Sequence, residues 1–185
     1  AEDPVDQIGI STVYPRYDFA IGGGLRRSTV NVIGARPKIG KTLLADNIGV
    51  HIARSGIPVL NLDTEMRKED HQNRLMAMLT GVEINDIETG KFAESPSSKK
   101  KIFEAAEEIK DLPYYFKSIG GAAFEDQISI MRRWLAKTVG LNDKGKAKDC
   151  VIIYDYLKLM DSSQIKGDMK EFQVLGFMMT ALHNF

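Results

Sequence analysis

Apolar positions in this chain form two kinds of run: short aliphatic or aromatic stretches, and longer stretches in which they recur every three or four residues. Val30, Val32 and Ile33, then Val59-Leu-Asn-Leu62, Leu112-Pro-Tyr-Tyr-Phe-Lys117 and Cys150-Val-Ile-Ile-Tyr154 belong to the first kind and predict strands. Helical spacing links Leu43, Leu44, Asn47, Ile48, His51 and Ile52, and Gly56 and Pro58 end that helix. A second helix is expected from about Lys68 to Leu79, with Leu75, Met76 and Leu79 on one face. A third starts at Ser95 and runs to about Ile109. Phe124–Val139 follows with Ile128, Met131 and Leu135 inward and Trp134 as a packing residue. A last helix carries Phe172, Leu175, Met178, Met179 and Leu182 on its apolar side. Between these, 86–92 predicts a short helix and turn, 142–149 a charged loop and 161–170 a polar loop. Residues 1–13 are expected to be a linker or N-terminal arm, and 14–185 one α/β domain.

The first predicted strand and helix enclose Gly34-Ala-Arg-Pro-Lys-Ile-Gly-Lys-Thr42. A strand, a loop ending in Gly40-Lys41-Thr42 and a helix make the architecture of a phosphate-binding loop. Small residues let successive backbone N–H groups converge on phosphate oxygens, and the helix start adds its positive dipole end. The expected nucleotide contacts are Ala35, Arg36, Pro37, Lys38, Ile39, Gly40, Lys41, Thr42 and Leu43. Lys41 is expected at the β- and γ-phosphates of ATP, and the Thr42 hydroxyl on Mg²⁺. The strict pattern has glycine where this chain has Ala35, a tolerated exchange.

Two acids complete the expectation. Asp155 ends an apolar strand downstream of the loop, where it would hold the Mg²⁺ shell through water beside Thr42. Glu65 follows the strand at 59–62, and ligands of open α/β sheets sit at the carboxyl ends of strands. Glu65 there could polarise an attacking water, or it could be a helix-capping acid with Thr64 as the N-cap; the residues alone leave both open. Gly22-Gly-Gly24 reads as a turn, since no helix starts after it to make a second cradle. Lys99, Lys100 and Lys101 read as a solvated face balanced by Glu104, Glu107 and Glu108. His51, His71 and His183 lack metal-ligand spacing.

Composition narrows the class without changing this picture. Of the 185 residues, 43% are hydrophobic and 27% charged, as in an ordinary globular domain, and the formal net charge is zero. Nothing global therefore points to nucleic acid or an anionic membrane, and any such binding must be local. The single cysteine, Cys150, excludes an internal disulfide framework and sits at the edge of an apolar run, as a core thiol does. No apolar run is long enough to span a bilayer and the N-terminus is polar, so a cytoplasmic location is expected.

The motifs together resemble those of the DnaB-type replicative helicases. Gly34-Ala-Arg-Pro-Lys-Ile-Gly-Lys-Thr42 resembles that family's loop down to its alanine, and Leu62-Asp-Thr-Glu-Met-Arg-Lys-Glu69 its strand-end element, with one extra residue before the Glu. Leu79-Thr-Gly-Val82, Ile87 and Thr89-Gly-Lys91 match the next segment. Ile152-Ile-Tyr-Asp-Tyr-Leu-Lys-Leu-Met160 resembles its Walker B strand, with Lys158 where Gln is usual. The resemblance implies a RecA-like P-loop NTPase core, a mostly parallel sheet flanked by helices, that moves along single-stranded DNA as a homo-oligomeric, usually hexameric, ring. It assigns Glu65 as catalytic base and Lys41 to the reacting phosphate. It puts the loop after Asp161 against DNA with Lys166 and Lys170 as phosphate contacts, although an ordinary exposed loop fits those lysines equally well. Primase or a helicase loader would be a partner, and the compactness suggests a phage-encoded member. The family's primase-binding domain and its last two core strands, with the γ-phosphate sensor and basic finger, have no counterpart, so the core looks truncated after the helix that follows the Walker B strand. A RecA/RadA-like recombinase or recombination mediator is the alternative with the same fold, and a non-catalytic ATP-binding ring-assembly module the alternative of another class.

Overall fold

The computed structural model describes residues 8–156 and 171–185. The elements are α1 (Pro15–Ala20), α2 (Lys41–Arg54), β1 (Val59–Asp63), α3 (Lys68–Thr80), α4 (Ile84–Thr89), α5 (Pro96–Asp111), β2 (Tyr114–Ser118), α6 (Phe124–Trp134), β3 (Val151–Asp155) and α7 (Glu171–His183). A 3₁₀ turn spans Lys91–Glu94, and a π-helical turn, Leu135–Val139, extends α6. The strands run parallel in the order β2-β1-β3, with Asp63 level with Ser118 on one side and Asp155 on the other. Parallel strands need crossover connections, here built from helices, and that leaves all the carboxyl ends at one edge.

Alternation along the strands decides which face each side chain serves. Val59 packs with Ile48, Ile52, Ala53, Tyr114, Val151 and Ile153 under α2. Leu60 and Leu62 pack on the other face with Met131, Trp134 and Val139 of α6 and its extension, joined by Ile152, Tyr154 and Leu182 of α7. By the same parity Asp63 and Asp155 come out on the face of α2. Cys150 is half-buried against the second cluster, and burial raises its thiol pKa.

α2 lies close to the sheet because Gly49 faces it. A Cβ built there would come within 2.8 Å of Ile153 Cδ1 and of Tyr114 Cε2. α5 starts at Ser95, whose side chain accepts from the Ser98 N–H at 3.3 Å, an N-cap followed by Pro96 in the first turn. In the Gly22-Gly-Gly24 turn all three glycines have positive φ. The N–H groups of Gly23 and Gly24 donate to the Asp18 carbonyl, and the turn returns Leu25 to an antiparallel bridge with Ile10.

One strand expectation fails. Val30, Val32 and Ile33 form no strand, and Val30 and Val32 are exposed at 40% and 72%. A β-branched run becomes a strand only beside a neighbour that supplies ladder hydrogen bonds. No described strand is hydrogen-bonded to this run. The 3.6-period signals, by contrast, all correspond to helices. Among the described residues no helix is long and apolar enough to cross a membrane.

Candidate functional site

The loop before α2 is open. Residues 34–40 are all exposed, and a Cβ built on Gly34 or Gly40 would meet nothing within 4 Å. Lys38 and Gly40 take positive φ (64° and 103°), Gly40 as the left-handed residue before α2. No side chain caps α2, and its first turn carries no acid. Its leading N–H groups, which a helix cannot satisfy internally, therefore face this open loop with the positive end of the dipole.

Lys41 and Thr42 turn back toward the sheet and meet Asp155. The Lys41 ammonium pairs with Asp155 Oδ1, and the Thr42 hydroxyl donates to Oδ2 at 2.5 Å. Side-chain exposure is 27% for Lys41 and 8% for Asp155, so the pair is largely shielded from water. One carboxylate thus ties the helix start to the end of β3, because α2 lies on the face where residue 155 emerges. A hydroxyl beside a carboxylate is a hard-oxygen donor set suited to Mg²⁺ when phosphates and water complete the shell. Among the described residues no group of three or more His, Cys, Asp or Glu is placed to hold a metal ion. The open loop and the helix start supply the anion cradle that a nucleotide needs.

Glu65 is brought to the same edge by a turn. Asp63, buried at the end of β1, accepts from the backbone N–H of Glu65 (2.7 Å) and of Met66 (2.6 Å), which bends the chain off the strand. The Thr64 N–H donates to the Asp155 carbonyl at 2.9 Å and locks the two strand ends. Thr64 is not a helix cap: α3 begins only at Lys68, with Arg67 at its uncapped N-cap position. Glu65 is not in the first turn of α3, which removes the capping role. Lys166 and Lys170 lie outside the described residues.

Two features had no role in the sequence reading. Tyr156, next to Asp155, donates its hydroxyl to Glu65 Oε1 at 2.9 Å, and its ring centroid lies 4.3 Å from the Lys41 ammonium. The hydrogen bond to Glu65 raises the Tyr156 phenol pKa. The second feature is a buried polar cluster beneath α2. Asp46 Oδ1 accepts from Asn61 Nδ2 (2.9 Å) and from the Tyr114 hydroxyl (2.8 Å). His71 stacks on Phe116 at 4.0 Å, with Nδ1 3.9 Å from Asp46 Oδ2. Burial lifts the Asp46 pKa to about 6 and lowers that of His71 to about 4. A signal was present: Asp46 lies one helical turn after Thr42, and Asn61 interrupts an apolar strand.

Residues 9–182 match the family model described as the DnaB-like helicase C-terminal domain. A replicative DNA helicase DnaB of Treponema pallidum is 31% identical over 156 residues, covering 84% of this chain and 33% of that protein. One from Synechocystis is 29% identical, covering 83% of this chain and 16% of that protein. A probable plasmid replicative DNA helicase of Chlamydia muridarum is 32% identical, covering 84% of this chain and 32% of that protein. The chain thus spans a third or less of these relatives. Among solved structures, the ATPase domain of G40P superposes with a TM-score of 0.81 at 20% identity, over 96% of this chain and 60% of that one. A DnaB-like replicative helicase, studied with its interactions with primase, gives 0.78 at 18%, over 96% of this chain and 40% of that one. At these identities the superpositions establish the fold alone, an open parallel sheet flanked by helices.

Proposed function

The chain belongs to the DnaB-like helicase C-terminal domain family, and we propose that it is the ATP-hydrolysing motor of a replicative DNA helicase that moves along single-stranded DNA. The observation that carries this reading is the junction at Asp155, where Lys41 and Thr42 share one carboxylate at the end of β3. In this reading the loop from Ala35 to Leu43 cradles the phosphates, and Lys41 neutralises charge developing on the transferred phosphoryl group. Thr42 would hold Mg²⁺ directly and Asp155 through water, and the ion would screen phosphate charge. Glu65 orients the attacking water. A phosphate approaching Lys41 would compete with Asp155 for the ammonium, exchanging an internal ion pair for one with substrate. Assembly into a homo-oligomeric ring, Lys166 and Lys170 as DNA contacts, a primase or loader as partner and a cytoplasmic location belong to the same proposal. The reported relatives are replicative helicases, and no finding favours the recombinase or the non-catalytic module.

Steady-state ATP hydrolysis with and without single-stranded DNA, comparing wild type with Lys41→Ala, tests the reading. Turnover is expected to rise with DNA and to fall at least about a hundredfold in the variant, as when a main electrostatic contact to the transition state is lost. Turnover that survives in the variant, or that DNA leaves unchanged, would overturn it.

A further inference from the structure

Glu65 is an exposed side chain on a turn, with three rotatable bonds and no helix to fix them. A water-orienting carboxylate works only when held in one rotamer. One hydrogen bond to it comes across the sheet edge from Tyr156, 91 residues away in sequence, whose ring also covers Lys41. Three facts make this more than a surface contact. The tyrosine directly follows the carboxylate that holds Lys41 and Thr42, so its backbone is anchored by β3. Its hydroxyl donates to a charged acceptor, the stronger kind of hydrogen bond. And it is 37% exposed, so it contributes little to the core and core packing does not explain its presence.

We propose that Tyr156 is a positioning residue for hydrolysis: its hydroxyl fixes the Glu65 carboxylate, and its ring covers the Lys41 ammonium. The proposal rests on the reading of Glu65 as the group that orients water. Hydroxyl and ring have separable effects. The hydroxyl acts through Glu65, so its loss lowers kcat and leaves nucleotide affinity alone. The ring acts on Lys41, so its loss raises KM.

Tyr156→Phe, Tyr156→Leu and Glu65→Gln, prepared in the full chain, test this by kinetics. Tyr156→Phe is expected to lower kcat about tenfold, the order of one hydrogen bond to a charged group, with KM for ATP within about twofold of wild type. Tyr156→Leu is expected to add a rise in KM. A readout independent of turnover is the Cζ resonance of Tyr156 in ¹³C-tyrosine-labelled protein. With six tyrosines in the chain, it is assigned by its loss in Tyr156→Phe. It is expected to move in Glu65→Ala. Wild-type kcat in Tyr156→Phe, or an unmoved resonance, would overturn the proposal. Turnover that survives Glu65→Gln would instead remove the reading of Glu65 on which the proposal rests, while a moved resonance would still show that the bond exists.

Discussion

Asp46 and His71 meet beneath α2, each buried and each shifted by that burial toward its neutral form. Their effects on stability have opposite signs. His71 titrates near 6.5 when unfolded and near 4 when folded, so its contribution is complete above about 6.5 and is lost as pH falls toward 4. Asp46 titrates near 3.8 unfolded and near 6 folded, so its contribution is complete below about 3.8 and is lost as pH rises through 6. Between pH 4 and 6 the two slopes oppose, and wild-type stability contributed by this pair should be nearly flat. Asp46→Asn keeps an oxygen for Asn61 and Tyr114 but removes one slope. It should make stability rise with pH over that window by about 2 kcal/mol. His71→Phe should make it fall by a similar amount. Urea midpoints at pH 4, 5 and 6 in metal-free buffer check both signs.

At the scale of elements, the site depends on how closely α2 approaches the sheet, since Lys41 and Thr42 reach Asp155 only from that distance. Gly49 sets it. Alanine there would gain roughly 1 kcal/mol of helix propensity, but its Cβ would press on the Tyr114 ring and Ile153. Overpacking of that kind costs about 1–3 kcal/mol. Gly49→Ala should therefore destabilise by up to about 2 kcal/mol net, visible as a lower thermal midpoint. Ile153 lies two residues before Asp155 on the same face, so nucleotide affinity should weaken in the same variant. A midpoint at or above wild type would show that the helix can shift without cost.

For the whole molecule, the unpaired run at 30–33 is the point where local preference and architecture part. Its backbone N–H groups make no hydrogen bond to any described residue, whereas β1 is paired on both sides and buried throughout. Hydrogen exchange should show this directly. The amides of Val30, Asn31, Val32 and Ile33 are expected to exchange near their intrinsic rates, and those of Leu60 and Leu62 at least about a thousandfold more slowly. Protection of both sets would mean that the run pairs in solution.

The chain alone determined much of this molecule. Helical spacing placed α2, α3, α5, α6 and α7 because an apolar stripe at 3.6 residues has one use in water, to be buried. Apolar runs placed β1, β2 and β3, and glycine with lysine and threonine before a helix placed the loop, because few residue types leave a backbone open to an anion. The residues of the candidate site were therefore legible one by one. Their joining was not. That Asp155 meets Lys41 and Thr42, 114 and 113 residues away, follows from strand order, side-chain parity and the closeness of α2. Tyr156 against Glu65, and His71 against Asp46, have no local signature, since a tyrosine or histidine reads the same whether its partner is near or absent. The failed strand at 30–33 has the same cause: a strand is a property of a pair, and sequence shows only one member at a time.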